Sequence, residues 1–134
     1  MTDQADIHAA LMAHCESIAL SPMPEIAWPG KPVSQADYWL RITHLPNVPE
    51  RASLDGSVPL DHQGILQLDL MNEPGQHEIT YLRRASALIG YFPQNLRLSS
   101  GSVSVVIVKA YALGGRATGD HWMTPVRIEY RTEA

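Results

Sequence analysis

Hydrophobic residues change their spacing several times along this chain, and each change marks an element. Ile7, Leu11, Cys15 and Ile18 recur at helical spacing and predict a first helix, which Thr2 or Asp3 can cap and which runs to about Leu20. Ser21-Pro22 and Pro24 stop it, because proline lacks an amide proton and restricts the residue before it. Glu25 to Trp28 reads as a short strand closed by Pro29-Gly30. Tyr38 to Leu45, rich in aromatic and β-branched residues, predicts a second strand ending at Pro46. In Gly64 to Met71, Leu66, Leu68 and Leu70 alternate with Gln67 and Asp69, the signature of a half-buried strand.

Asn72 to Gly75 is a turn, and Gln76 to Phe92 predicts a second helix with Ile79, Leu82, Ala85, Ile89 and Phe92 on its inner stripe. Pro93 ends it. Leu96 to Leu98 is a short strand before a turn at Ser99 to Ser102, and Val103 to Tyr111 is a strong strand. A glycine-rich connection, Leu113 to Asp120, leads to the last strand, His121 to Arg131. Trp122, Thr124, Val126, Ile128 and Tyr130 face inward there, and Arg127, Glu129 and Arg131 face outward. Pro125 cannot donate to a ladder, which points to an edge strand or a bulge. The order predicts an α+β fold: a mostly antiparallel sheet with two helices packed on one face, forming a single domain over residues 1–134.

Val103 to Tyr111 breaks the alternation expected of a strand with one wet face. Val103, Val105 and Ile107 share one side, while Val106, Val108 and Ala110 share the other. Two helices cover only one side of a sheet, so the second apolar side needs the chain's own loops or another subunit. Val103, Val105, Val106, Ile107 and Val108, with the helix pair Arg83 and Arg84, are therefore candidates for a subunit interface. The long polar connection from Pro46 to Gln63, with Pro49, Gly56 and Pro59, interrupts the sheet, and connections of that length are often functional.

Composition narrows the classes. A hydrophobic share of 45% and a charged share of 18% suit a folded globular chain. Net charge is −4 and only Lys31 and Lys109 are lysines, which argues against a basic nucleic-acid-binding face. The longest apolar stretch, Val103 to Leu113, is broken by Ser104 and Lys109 and is far short of the ~20 residues of a membrane helix. Met1 to Asp6 lacks the basic and apolar regions of a secretory signal. Cys15 is the single cysteine, so no internal disulfide can form, which fits a reducing cytoplasm.

Candidate chemistry is sparse. His8 and His14 are six residues apart and face different ways on a helix, and His44, His62, His77 and His121 lie on separate segments. Gly114 to Gly119 is glycine-rich but lacks the Lys-Ser/Thr of a phosphate-binding loop. There is no nucleophile elbow. Asp55, Asp61, Asp69 and Asp120 could serve as acids only if their surroundings shift them, and Asp69 is more simply paired with an arginine on a neighbouring strand. No catalytic residue, cofactor or metal is expected.

Several phrases in order resemble a known family. They are Glu25-Ile26-Ala27-Trp28-Pro29-Gly30-Lys31-Pro32, then Tyr38-Trp39-Leu40-Arg41, then Gly64-Ile65-Leu66-Gln67-Leu68-Asp69-Leu70, a helix with Ala85 and a Phe92-Pro93 ending, and Pro125 to Tyr130. Together these resemble the small tail-terminator-like proteins of tailed phages and prophages, distant relatives of the lambda tail terminator, over roughly Ile7 to Arg131. The resemblance implies a structural, non-enzymatic protein of the virion tail, made in the host cytoplasm. It implies a ring, typically a hexamer, that caps the tail tube, stops its polymerisation and offers a surface to the head–tail connector. The implied partners are further copies, the tube protein and the connector, with no membrane and no sequence-specific nucleic acid. Trp28, Pro29, Gly30, Tyr38, Gly64, Gln67 and Asp69 carry the family-like motif. The loops depart from the family pattern; there Arg51, Asp55, Arg116 and Asp120 are candidate partner contacts. The competing readings are a head–tail neck adaptor and a small ligand-binding or enzymatic α+β domain, the latter requiring a deep pocket of convergent polar groups.

Overall fold

A computed structural model of the chain describes residues 4–32, 36–46, 63–101 and 103–133. Its elements run α1 (Gln4–Cys15), β1 (Glu25–Ala27), β2 (Trp39–Pro46), β3 (Gln63–Asn72), α2 (Glu78–Ile89), β4 (Arg97–Ser100), β5 (Val103–Ala112), β6 (Arg116–Thr118) and β7 (His121–Glu133). The strands form one curled sheet in the order β1-β2-β3-β7-β5-β4, with β6 also paired to β7. β1 runs parallel to β2 and the other pairs are antiparallel. Both helices pack on one face, α1 over β4 and β5, α2 over β5 and β7. The fold is thus α+β, a mostly antiparallel sheet with two helices packed on one face, as the element order predicts, and the sheet is curled into a half-barrel.

The core lies between helices and sheet. Ile7 and Leu11 of α1, Leu88 of α2, Phe92 just beyond it, and Leu66, Leu68, Leu70, Val105, Ile107, Val126 and Ile128 of the strands are all buried there. Full burial stabilises each such side chain by about 1.5–3 kcal/mol relative to exposure. A smaller cluster of Ala27, Trp39, Met71 and Met123 sits on the sheet's other side.

α1 stops at Cys15 rather than Leu20. The amides of Ser17 and Ile18 bond the carbonyls of His14 and Cys15 in tight three-residue steps (3.0 and 3.2 Å). The Tyr91 hydroxyl then holds Ala19, accepting from its N–H (3.1 Å) and donating to its carbonyl (3.0 Å), so a side chain takes over where helical bonds would continue. Ile18 is still buried, but from the following turn.

α2 is rotated relative to the expected stripe. Its inward residues are Tyr81, Ala85 and Leu88, with Ile89 half-buried, while Ile79 and Leu82 are 52% and 50% exposed. The rotation is fixed by polar anchors. Tyr81 Oη donates to the Glu73 carbonyl (2.9 Å) and accepts from Gln76 N–H (3.1 Å), its ring stacks on Trp122, and Arg84 reaches Asn72 and Glu73.

Pro125 does not mark an edge: β7 is central, between β3 and β5. A strand residue's N and O point to the same neighbour. The Pro125 carbonyl accepts from Leu113 N–H (2.8 Å) on the β5 side, so its missing donor also faces that side, one residue past the end of β5, and the ladder to β3 does not need it. A register shift between Ile107 and Lys109 changes the faces of β5. Val103, Val105 and Ile107 share one side as expected, and that side is the core; after the shift Ala110 joins them, while Lys109 and Tyr111 pair with Glu129 and Arg127 on the far face. The shift leaves Val108 as the extra residue.

Candidate functional site

The far face of the sheet is built by the odd residues of β3 and their neighbours. Trp39, Met71 and Met123 form its apolar end. The next rows are polar. Asp69, 1% exposed, accepts from Arg41 Nη2 (3.0 Å) and Nε (3.2 Å), and from Gln67 Nε2 at 3.0 Å; Arg127 Nη2 in turn donates to Gln67 Oε1 at 3.3 Å. Arginine's planar fork suits such a buried carboxylate, whose remaining oxygen the amide satisfies. The last row returns to apolar surface. Leu45 pairs with Ile65, Ile65 with Glu129, and Glu129 carries an exposed ion pair to Lys109 at 3.4 Å.

The expected interface strand is largely taken up by the subunit itself. Val103, Val105 and Ile107 lie in the helix-side core. Val106 is buried on the far face, flanked in register by Arg97 and Arg131, whose long stems can lie beside it. Val108 is exposed. Arg84 is anchored: Nη1 donates to Asn72 Oδ1 (3.0 Å), Nη2 to Glu73 Oε1 (3.0 Å), and the guanidinium lies 4.1 Å over the Tyr38 ring. Burial pushes the Glu73 carboxyl up, but the Arg84 hydrogen bond and charge outweigh it and hold the group below its ordinary range. Arg83 is exposed. Of the seven residues, Arg83 and Val108 are therefore the accessible ones.

Arg116 on β6 and Asp120 in the following turn are both exposed, at the tip beyond β5. Arg51 and Asp55 lie outside the described residues, as do the proposed caps Thr2 and Asp3.

The motif residues have structural tasks. Gly30 takes φ +78°, a left-handed conformation that disfavours side chains, in the turn after Trp28 and Pro29. Tyr38 lies under Arg84, and burial pushes its hydroxyl up. Gln67 and Asp69 form the far-face network. Gly64 lies beside the Tyr130 hydroxyl, which bonds His44 Nε2.

His44 also meets His8, Nδ1 to Nδ1 at 3.0 Å, with the rings stacked. One nitrogen must donate and the other accept, so a neutral His44 couples the directions of its two bonds. Burial, and secondarily the His8 charge, push His44 down to about 4. Sequence spacing could not show this pairing, because the two residues are 36 positions apart. These rings border a cavity of about 470 Å³ that also meets Trp28, Lys31 and Arg41. Among the described residues no group of three or more His, Cys, Asp or Glu could hold a metal ion. Cys15 is fully buried, and burial pushes its thiol up to about 12.

The exposed pair Ile79 and Leu82 was not expected. Its signal is present in the sequence, since Tyr81, Ala85, Leu88 and Phe92 form a second stripe at helical spacing.

No curated protein matches the chain. A solved structure superposes with a TM-score of 0.79 at 20% identity, covering 100% of this chain and 98% of its own, which establishes the shared fold. The model of the phage tail terminator protein family matches residues 6–130. The chain therefore belongs to the phage tail terminator protein family.

Proposed function

We propose that this protein assembles as a ring, in the form of a hexamer, on the end of the phage tail tube. There it stops tube polymerisation and presents the surface to which the head-side connector joins. The observation that carries this reading is the family match over residues 6–130. It supports a location in the virion tail, and in the host cytoplasm during assembly, with further copies, the tube protein and the connector as partners. The task is one of shape and contact and uses no catalytic residue or cofactor.

The structure suggests how the task divides. A closed ring of identical subunits uses heterologous contacts, one surface meeting a different surface on the next copy. The tip carrying Arg116 and Asp120 projects beyond the paired part of β5 and is suited to touching the tube; Arg51 and Asp55, outside the described residues, are the other candidate contacts. The net charge of −4 per chain disfavours adhesion of DNA passing through the ring.

The test mixes the purified protein with purified tail tubes and with tube protein still able to polymerise. Rings on tube ends, and tubes that stop growing when it is added, are expected. A protein that neither binds tube ends nor limits their length overturns the proposal. Cross-linking to the portal in place of the tube would make it a neck adaptor instead.

A further inference from the structure

The largest exposed aliphatic side chains fall mainly on two opposite sides of the sheet. On the helix side, Ile79 and Leu82, 52% and 50% exposed, stand one turn apart on the crest of α2. A depression of about 260 Å³ beside that crest is lined by Leu20, Pro22, Thr80 and Arg83. On the far side, Leu45 is 46% exposed and pairs with half-buried Ile65. Ile65 and Val108 line a second depression, of about 220 Å³, with Glu129.

We propose that these two patches are the halves of one contact between successive copies: the α2 crest of one copy packs on the Leu45–Ile65–Val108 patch of the next. The inference rests on the ring reading and deepens it. Two unlike apolar patches facing opposite ways are what a head-to-tail contact requires, whereas a two-fold contact needs one patch that matches itself. Shape agrees, since the crest is a ridge and the far patch contains a hollow. Charge allows one pairing across the contact. Arg83, on the crest, has no ion-pair partner among the described residues, and Glu129 in the far patch is paired among them with an exposed lysine, while Arg131 also lines the hollow. Each patch is small, so the contact is weak between free subunits and closes where a tube end holds several copies together.

The buried Cys15 leaves introduced cysteines as the reactive thiols, so the contact can be read by disulfide formation. Leu82→Cys and Ile65→Cys variants are oxidised on purified tube ends, each alone, mixed, and combined in one chain. The combined variant is expected to give a ladder of linked oligomers, the mixture linked dimers, and each single variant none. As a second reading, Arg83→Glu is expected to lower ring occupancy of tube ends about tenfold, and mixing it with Glu129→Arg to restore much of it. Rings that form without the Leu82–Ile65 link, or that link through Leu82→Cys alone, overturn the proposal and leave the ring reading intact. Failure of the unaltered protein to form rings on tubes overturns the ring reading itself, and this contact with it.

Discussion

The phenol oxygen of Tyr130 occupies the space that a Cβ at position 64 would need. Tyr130 is 2% exposed and its hydroxyl is tied to His44, so the ring cannot swing away without breaking that bond. Gly64→Ala should therefore destabilise the fold by about 1–3 kcal/mol, the usual range for overpacking. Urea unfolding at neutral pH measures it. A change within 0.5 kcal/mol of zero would show that Tyr130 yields freely.

His44 gives the fold a defined pH response. Its folded value of about 4 lies below the ordinary 6.5, so between these values the unfolded chain binds a proton that the folded chain refuses. Stability from this group is whole above about pH 6.5, declines as the pH falls toward 4, and does not decline further below it. His44→Gln should flatten the difference in urea midpoint between pH 7 and pH 5 relative to the unaltered protein. Equal pH dependence in the two proteins would remove His44 as the cause.

Asp69 accepts three hydrogen bonds from two side chains on the far face, and its removal takes that acceptor away. Asp69→Ala should cost about 1–3 kcal/mol, less than a fully buried ion pair because Arg41 remains 43% exposed and can turn to water. Asp69→Asn should cost less, as it keeps one acceptor. In a double-mutant cycle with Arg41→Met, a coupling energy near zero would mean that the pair contributes shape only.

The Cys15 thiol should be silent in the folded protein. It is 0% exposed and its value of about 12 leaves almost no thiolate at neutral pH, the form that reacts. A chromogenic disulfide reagent should label it only as denaturant unfolds the chain, with labelling following the unfolding curve. Rapid labelling in buffer would show that the end of α1 opens locally.

Much of the fold was legible because alternation and helical spacing are local signals. The leucines of β3, the core residues of β7 before Arg131, and the first stripe of α1 all face as their spacing predicts. The departures arise where distant groups decide. Two stripes compete on α2, and the choice falls to Tyr81, Arg84 and the turn at Glu73, which no window of α2 contains. The shift at Val108 depends on how β5 meets β7. It removes Ala110 from the outer face and with it much of the apolar surface that the strand's composition promised. Pro125 signals an edge or a bulge because a sequence does not reveal which neighbour has already ended. The far-face network was half legible: Asp69 wanted an arginine, but its identity as Arg41 required knowing that β2 and β3 pair.

β7, the last of the described strands in chain order, lies in the middle of the sheet, between β3 and β5. Until it emerges, the β1–β2–β3 half and the β4–β5 half have no strand to join them, and both helices lack a finished surface to lie on. Such late, long-range pairing makes folding slow compared with helical proteins of similar size, and delays it until translation of this region is complete. A chain without β7 therefore offers neither half of the sheet as a finished surface, so any contact with a partner waits on the closing of the whole sheet.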